Sequence, residues 1–402
     1  RSHRARCIQP ERTIEAAEKY NDPGRFTAFI AYEWTSNSTN GDNLHRNVIY
    51  RGGGAEAGGV LPQTTFQSQD VETLWAWMDA YEKKTGGRLL AIPHNGNLSN
   101  GRMFEETRYN REPMTPAYAA ARQKWERLFE TTQIKGQSET HPMLSPEDAF
   151  ADWDRWDRAN LNGVPKKPAM IRTEYWREAL KTGLRLEAAL GTNPFKYGAN
   201  GATDTHNGLS TPDDDNFWGK FKTQEPGPAR LSTPFSERPD NRIESSEQAA
   251  SGTMGVWATA NTREALWDAM HRRETFSTTG PRMSVRFFGG FGFTDADVRD
   301  LVKAGYSRGV PMGGDLKAAP GGRAPGFLVA ATKDPQGANL DRIQIVKGWV
   351  DADGATRETV FDVAWAGARK PDAKGKLPAV GSTADLKTAT YRNSIGAPEL
   401  RA

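Results

Sequence analysis

The chain has 402 residues, and its 53 lysines and arginines against 50 aspartates and glutamates leave a formal charge of +3, too near neutral for its size to point to nucleic acid. Hydrophobic residues make up 37%, and no run approaches the ~18 apolar residues of a membrane-spanning helix, so no membrane span is expected in this segment. The single cysteine, Cys7, excludes an internal disulfide framework and a zinc–thiolate cluster, and does not settle the compartment. The start at Arg1-Ser2-His3-Arg4, without Met, is expected to mark a processed or internal beginning; export to the periplasm or beyond would follow if a signal peptide lies upstream.

Residues 11–20 are predicted as a polar helix, stopped by Asn21-Asp22-Pro23-Gly24. Residues 26–34 read as a buried strand with Glu33 at its C-terminal end, and residues 45–51 as a second strand running into Gly52-Gly53-Gly54. Over 69–83, Val71, Leu74, Trp75, Met78 and Tyr81 recur on one helical face, which predicts that Leu74, Trp75 and Met78 are buried. A strand over 88–93 ends in His94, a helix follows over 115–128, and a strand over 128–135. A Pro/Asp-rich linker leads to a helix over 170–182 closed by Gly183, and residues 184–190 read as a further strand.

Residues 211–250, rich in Pro, Ser, Asp and Gly, read as a long surface excursion. A strand over 254–260, a helix over 262–273 capped by Asn261, and a strand over 276–282 complete the first unit. The recurring order of strand, polar loop and helix is that of a β/α fold whose site sits at the C-terminal strand ends. Beyond Met283, short apolar runs at 285–288, 326–331, 341–350 and 359–366 alternate with Gly/Pro/Asp turns, as in an antiparallel β-rich domain. Two domains are therefore expected, 1–282 and 283–402, the second sandwich-like.

Four of the six histidines lie in loop-like contexts: Leu44-His45-Arg46-Asn47, Ile92-Pro93-His94-Asn95-Gly96-Asn97, Glu139-Thr140-His141-Pro142 and Gly201-Ala202-Thr203-Asp204-Thr205-His206-Asn207-Gly208. Core packing follows apolar periodicity and seldom yields that pattern. The Asp204-x-His206 spacing puts a carboxylate and an imidazole on one side of a strand end, and the flanking glycines leave room for an ion. Glu33, His45, His94, Asp204 and His206 are accordingly expected to converge as metal ligands. Mixed imidazole and carboxylate donors without cysteine point to Zn, Mn or Fe. Such a cluster activates water and clamps phosphoryl oxygens.

Each residue also has a plainer reading. Glu33 could be a surface carboxylate, His45 the start of a strand, and His94 a turn histidine bonding its own backbone. Glu139 and His141 read equally as ligands or as turn caps. Arg46, Lys135, Lys196 and Arg282 stand beside the ligands and could hold an anion, although loop cations are commonly just solvated. Asn95 is expected to line the site.

The stretches Ala31-Tyr32-Glu33-Trp34-Thr35, Asn43-Leu44-His45-Arg46-Asn47, Ile92-Pro93-His94-Asn95-Gly96-Asn97, Lys135-Gly136-Gln137-Ser138-Glu139-Thr140-His141-Pro142 and Thr203-Asp204-Thr205-His206-Asn207-Gly208, with Arg273-Glu274-Thr275-Phe276-Ser277-Thr278-Thr279-Gly280-Pro281-Arg282, resemble the polymerase-and-histidinol-phosphatase (PHP) superfamily of metal-dependent phosphoesterases. They are most similar to a large uncharacterised bacterial family of PHP-like proteins. The resemblance implies a distorted, TIM-like (β/α)7 barrel holding two or three divalent ions. By it Glu33 is the bridging carboxylate, His45 and His94 ligands of the second ion, Asp204 a ligand of the first and His206 of the third. Glu33, Asp204 and His206 would carry catalysis, and His141 has no counterpart.

The superfamily opens with a His-x-His strand and, later, an Asp-His pair; only His3 precedes Glu33 here. The chain is therefore expected to be an internal fragment of an incomplete barrel, poorly active by itself. The function implied is a metal-dependent hydrolase of small phosphate esters or related oxyanion esters, with a metal-bound hydroxide as nucleophile. The alternative is a non-catalytic exported binding or scaffold protein that retains the barrel.

Overall fold

A computed structural model describes residues 9–38, 40–209, 211, 216, 219–221, 227–228, 232–239, 241–248 and 252–402. His3, Cys7 and much of the 211–250 stretch lie outside the described residues. After the Gln9–Tyr20 helix comes β1 (Ala31–Trp34). It is shorter than the strand expected over 26–34, because Phe26 turns back to bridge Asp22. β1, β2 (Arg46–Tyr50) and β3 (Leu89–Pro93) form an antiparallel meander in which Glu33 faces Asn47 and Arg46 faces Pro93.

The Val71–Thr85 helix covers this sheet. Asp70 caps its start by accepting from the Glu72 N–H, and Gly86, in the left-handed region at φ 74°, ends it. Leu74, Trp75, Met78 and Tyr81 are all buried, each contributing about 1.5–3 kcal/mol if its apolar part is fully removed from water. Tyr81 meets Tyr50 edge-on at 5.4 Å, and Trp75 meets Tyr118 of the Pro116–Trp125 helix at 5.0 Å.

β4 (Leu128–Gln133) is joined by β5 (Gly136–Gln137), which turns back on its end, and pairs in parallel with β6 (Gly198–Gly201). The Trp176–Leu190 helix lies in the crossover between β4 and β6. Here two expectations fail together: Gly183 does not close this helix, and 184–190 is helix rather than strand. The true stop is Gly191 at φ 70°. Gly183 sits mid-helix because the chain folds back across it; a Cβ there would lie 2.2 Å from Asn193 Oδ1. Close approach, not helix termination, is what this glycine serves.

Within the 211–250 stretch, β7 (Pro234–Ser236) and β8 (Ile243–Glu244) form a small hairpin. β9 (Thr253–Val256) and β10 (Thr275–Thr278) pair antiparallel around the Arg263–His271 helix. That helix is capped by Thr262, whose side chain accepts from the Ala265 N–H. Asn261, the expected cap, instead accepts from Thr27 Oγ1 and donates to the Arg25 carbonyl.

The small sheets meet through side chains. Thr131 Oγ1 lies 2.7 Å from Ser277 Oγ, and Thr275 Oγ1 donates to the Ala199 carbonyl at 2.7 Å. The architecture is mixed α/β built of small sheets, and no closed barrel is present among the described residues, which overturns the expected seven-stranded barrel. β1 passes to β2 through a connection with no helix among its described residues, and the two run antiparallel, whereas barrel strands run parallel and need a crossover.

From residue 284, β11 (Ser284–Gly290), β12 (Gly309–Pro311), β13 (Gly326–Thr332) and the terminal Glu399–Arg401 strand make one antiparallel sheet, with β12 and β13 flanking β11 and the terminal strand beyond β13. β14 (Arg342–Val350) and β15 (Thr356–Trp365) form a long hairpin. A Leu301–Arg308 helix, which the sequence pattern does not announce, packs Leu301 and Ala304 with Phe288 and Leu328. No helix among the described residues is long and apolar enough to cross a membrane.

Candidate metal centre

The meander builds the site by register. Arg46 faces both Trp34 on β1 and Pro93 on β3, so His45, just before β2, and His94, just after β3, leave the same end of the ladder. The His94 N–H donates to the His45 carbonyl at 3.4 Å, and the two rings meet edge-on, 5.5 Å apart. Glu33 Oε1 lies between them, 2.8 Å from His45 Nδ1 and 3.2 Å from His94 Nε2. One donor atom from each residue lies within 4.8 Å of the others, so Glu33, His45 and His94 could hold a metal ion. His94 is buried, while Glu33 is partly exposed and opens the cluster to solvent.

The electrostatics fit a cation. Burial pushes the Glu33 carboxyl up, but hydrogen bonds from His45 and His94, and their charge, outweigh it and hold the group well below the usual carboxylate range. Burial pushes His45 down to about 4, against the pull of Glu33. A neutral imidazole carries one N–H. His45 Nε2 lies 2.9 Å from Asn37 Oδ1, an acceptor for a proton on Nε2, so the ring can release Nδ1 from its hydrogen bond to Glu33 and offer it to an ion. An oxygen acceptor behind the distal ring nitrogen is how ligating histidines are commonly held.

Asp204 and His206 do not complete this triad. Asp204 has φ 54°, and its carboxylate turns to two lysines. Lys135 Nζ contacts Oδ2, and Lys220 Nζ donates to Oδ2 at 2.5 Å and to the Asp204 carbonyl at 2.9 Å. Lys220 Nζ also lies 3.1 Å from His206 Nδ1. The five residues expected to form one ligand set thus fall into two adjoining groups. Strand-end spacing says which residues emerge together, but not which carboxylate is already matched by a cation.

Lys220 was missed altogether. It lies in the 211–250 excursion, where composition marks nothing, and is fastened to the Asp-x-His loop from the His206 N–H to the Lys220 carbonyl at 2.8 Å and from Asn207 Nδ2 to the Gly219 carbonyl at 2.9 Å. Burial, then the two lysine charges, push His206 down to about 4. Burial pushes Lys220 down to about 8, and burial plus the charge of Lys220 push Lys135 well below the usual amine range.

Glu130 on β4 was missed as well. Its side chain is buried, Oε1 has no hydrogen-bond partner among the described residues, and burial pushes its carboxyl up against the pull of His94 and Lys135. His94 Nδ1, Asn95 Nδ2 and Thr132 Oγ1 are likewise buried and unpartnered among the described residues.

The remaining expected residues are mostly committed elsewhere. Arg46 is buried and points away from His45, to Glu126 Oε1 at 3.0 Å and the Leu44 carbonyl at 2.6 Å, so it cannot hold a ligand anion. His141 spends both ring nitrogens, Nε2 on Asp157 at 3.0 Å and Nδ1 on the Met143 N–H at 3.1 Å, which removes it as a ligand. Glu139 lies 3.8 Å from Arg177, and Lys196 Nζ pairs with Asp315 at 2.7 Å. Arg282 is exposed and its N–H donates to Asp334 at 2.5 Å. Asn95 stays beside the site, its Oδ1 accepting from Gln133 at 3.0 Å.

Searches among curated proteins and among solved structures found no match. A family model described as "Protein of unknown function (DUF3604)" matches residues 4–402, and the chain belongs to that family.

Proposed function

We propose that the protein is a metal-dependent hydrolase of phosphate esters or related oxyanion esters. The observation that carries this reading is the Glu33–His45–His94 triad, with Asn37 placed to leave His45 Nδ1 as a lone-pair donor. A divalent ion held there, Zn, Mn or Fe, would polarise an ester oxygen and acidify a water. The chain's own residues do the rest. Glu33 offsets the ion's charge, His94 anchors it from the buried side, and Asn37 fixes the His45 ring. The partial exposure of Glu33 gives a small substrate access, and the ammonium groups of Lys135 and Lys220 favour an anionic one. The resemblance of these stretches to the PHP phosphoesterases supports the same chemistry.

Purified protein should carry a divalent ion by elemental analysis and hydrolyse p-nitrophenyl phosphate or its diester in a chelator-sensitive way. His94→Ala and Glu33→Gln should weaken metal binding by more than the ~10–100-fold that losing a residue behind a ligand costs. Wild-type protein that stays metal-free after incubation with Zn, Mn and Fe, or that turns over equally in chelator, would sink the reading.

A further inference from the structure

We infer that the centre takes one ion, and that Lys135 and Lys220, spread over Asp204, form a receptor for the substrate's tetrahedral oxyanion where a second ion would otherwise sit. This deepens the hydrolase reading and rests on it. Asp204 and His206 have the donor chemistry for a second ion, but the Asp204 carboxylate and His206 Nδ1 are already engaged. Asp204 Oδ2 receives both ammonium groups, and Lys220 also occupies His206 Nδ1. A divalent cation at that oxygen would have to displace two buried lysine nitrogens.

The lysines are built into the site. Their side chains are only 5% and 6% exposed. The backbone at Gly219-Lys220 is fastened to the Asp-x-His loop by one bond at each residue, which fixes the point from which the Lys220 side chain extends. Both amines turn to one carboxylate, and burial holds the pair short of its full charge. Two further acids act on both lysines: Glu33, which belongs to the triad, and Glu130, which burial biases toward its neutral form. An arriving anion favours the charged form of both amines and is held by them in turn.

Unused donors lie on β4 and on the elements that carry the triad. β4, which bears the Glu130 whose charge acts on both lysines, also carries the buried Thr132 hydroxyl, unpartnered among the described residues. Asn95, next to the ligand His94, has an unpartnered buried Nδ2. Lysine ammonium groups act on phosphate or sulfate as compact point charges, and the amide and hydroxyl supply directed bonds.

The test combines metal stoichiometry with calorimetric binding of inorganic phosphate and inorganic sulfate to the metal-loaded full chain. Wild type should hold one ion and bind one of the two anions, and the one bound more tightly names the ester class. Lys220→Gln should keep the ion and lose at least about tenfold in anion affinity, as expected for a charged hydrogen bond, while Lys220→Arg keeps most of it. Lys135 is more deeply placed in the fold, so Lys220 carries the test. Asp204→Asn should leave the ion count unchanged.

Two or more ions per chain, a lower ion count in Asp204→Asn, or unchanged anion affinity in Lys220→Gln would overturn the inference and leave the hydrolase reading standing. A wild type without any ion overturns both.

Discussion

Glu126 is buried, yet Arg46 reaches it at 3.0 Å, Arg122 at 3.2 Å, and the Tyr197 hydroxyl donates to it at 3.3 Å. Arg46, adjacent to His45 in sequence, therefore anchors β2 from behind the candidate triad. Elsewhere a single imidazole is left to carry its own burial. His271 stacks on Trp267 at 5.0 Å, and burial, then the charges of Arg127 and Arg88, push it down to about 4. Its folded pKa lies below the unfolded 6.5, so the unfolded chain takes the proton first. This contribution to stability is complete above pH 6.5 and drains away as pH falls through 4. His271→Gln should flatten the drop in Tm over that window; identical slopes in the two proteins would assign the acid sensitivity to other groups.

At the scale of the element, the Leu301–Arg308 helix shows how packing overrides propensity. Gly305 is a poor helix former, so alanine there should help by about 1 kcal/mol if only the backbone mattered. But a Cβ at that position would fall 2.3 Å from the Phe288 ring, which is itself buried with no room to retreat. Overpacking of this kind costs about 1–3 kcal/mol. Gly305→Ala should therefore lower the urea midpoint, and a raised midpoint would mean the ring yields freely. The same logic explains Gly183, which looked like a helix end and is instead the point where residues 193–195 cross the Trp176–Leu190 helix.

For the whole molecule, the β14–β15 hairpin is locked onto the part that bears the site. Glu358 on β15 accepts from Arg177 Nη2 at 2.6 Å and Ser145 Oγ at 2.7 Å, and lies 3.5 Å from Lys181 Nζ. The two cations come from the helix that connects β4 to β6, so the carboxylate ties the C-terminal strands to the crossover of the central sheet. Glu358→Ala should cost about 2 kcal/mol, because it removes charged hydrogen bonds and leaves Arg177 and Lys181 with fewer partners. Chemical denaturation would measure it; a loss within error would show that apolar contacts alone hold the hairpin.

Local covalent geometry made part of this legible in the chain itself. The 3.6-residue period wrote out the Val71–Thr85 helix and its buried Leu74, Trp75 and Met78, and alternation with turn residues marked β14 and β15. Glu33, His45 and His94 stood out because polar residues at the ends of apolar strands escape the core pattern, and antiparallel register brings those ends together. Only the tertiary structure decided that the sheets stay separate, since pairing direction depends on which strands meet and not on their internal pattern. It alone decided the partners of the charges too. Asp204 is matched by a lysine 69 residues before it and another 16 residues after it, and Arg46 by a glutamate 80 residues away. Such pairs obey distance in space, a quantity that periodicity along the chain does not contain.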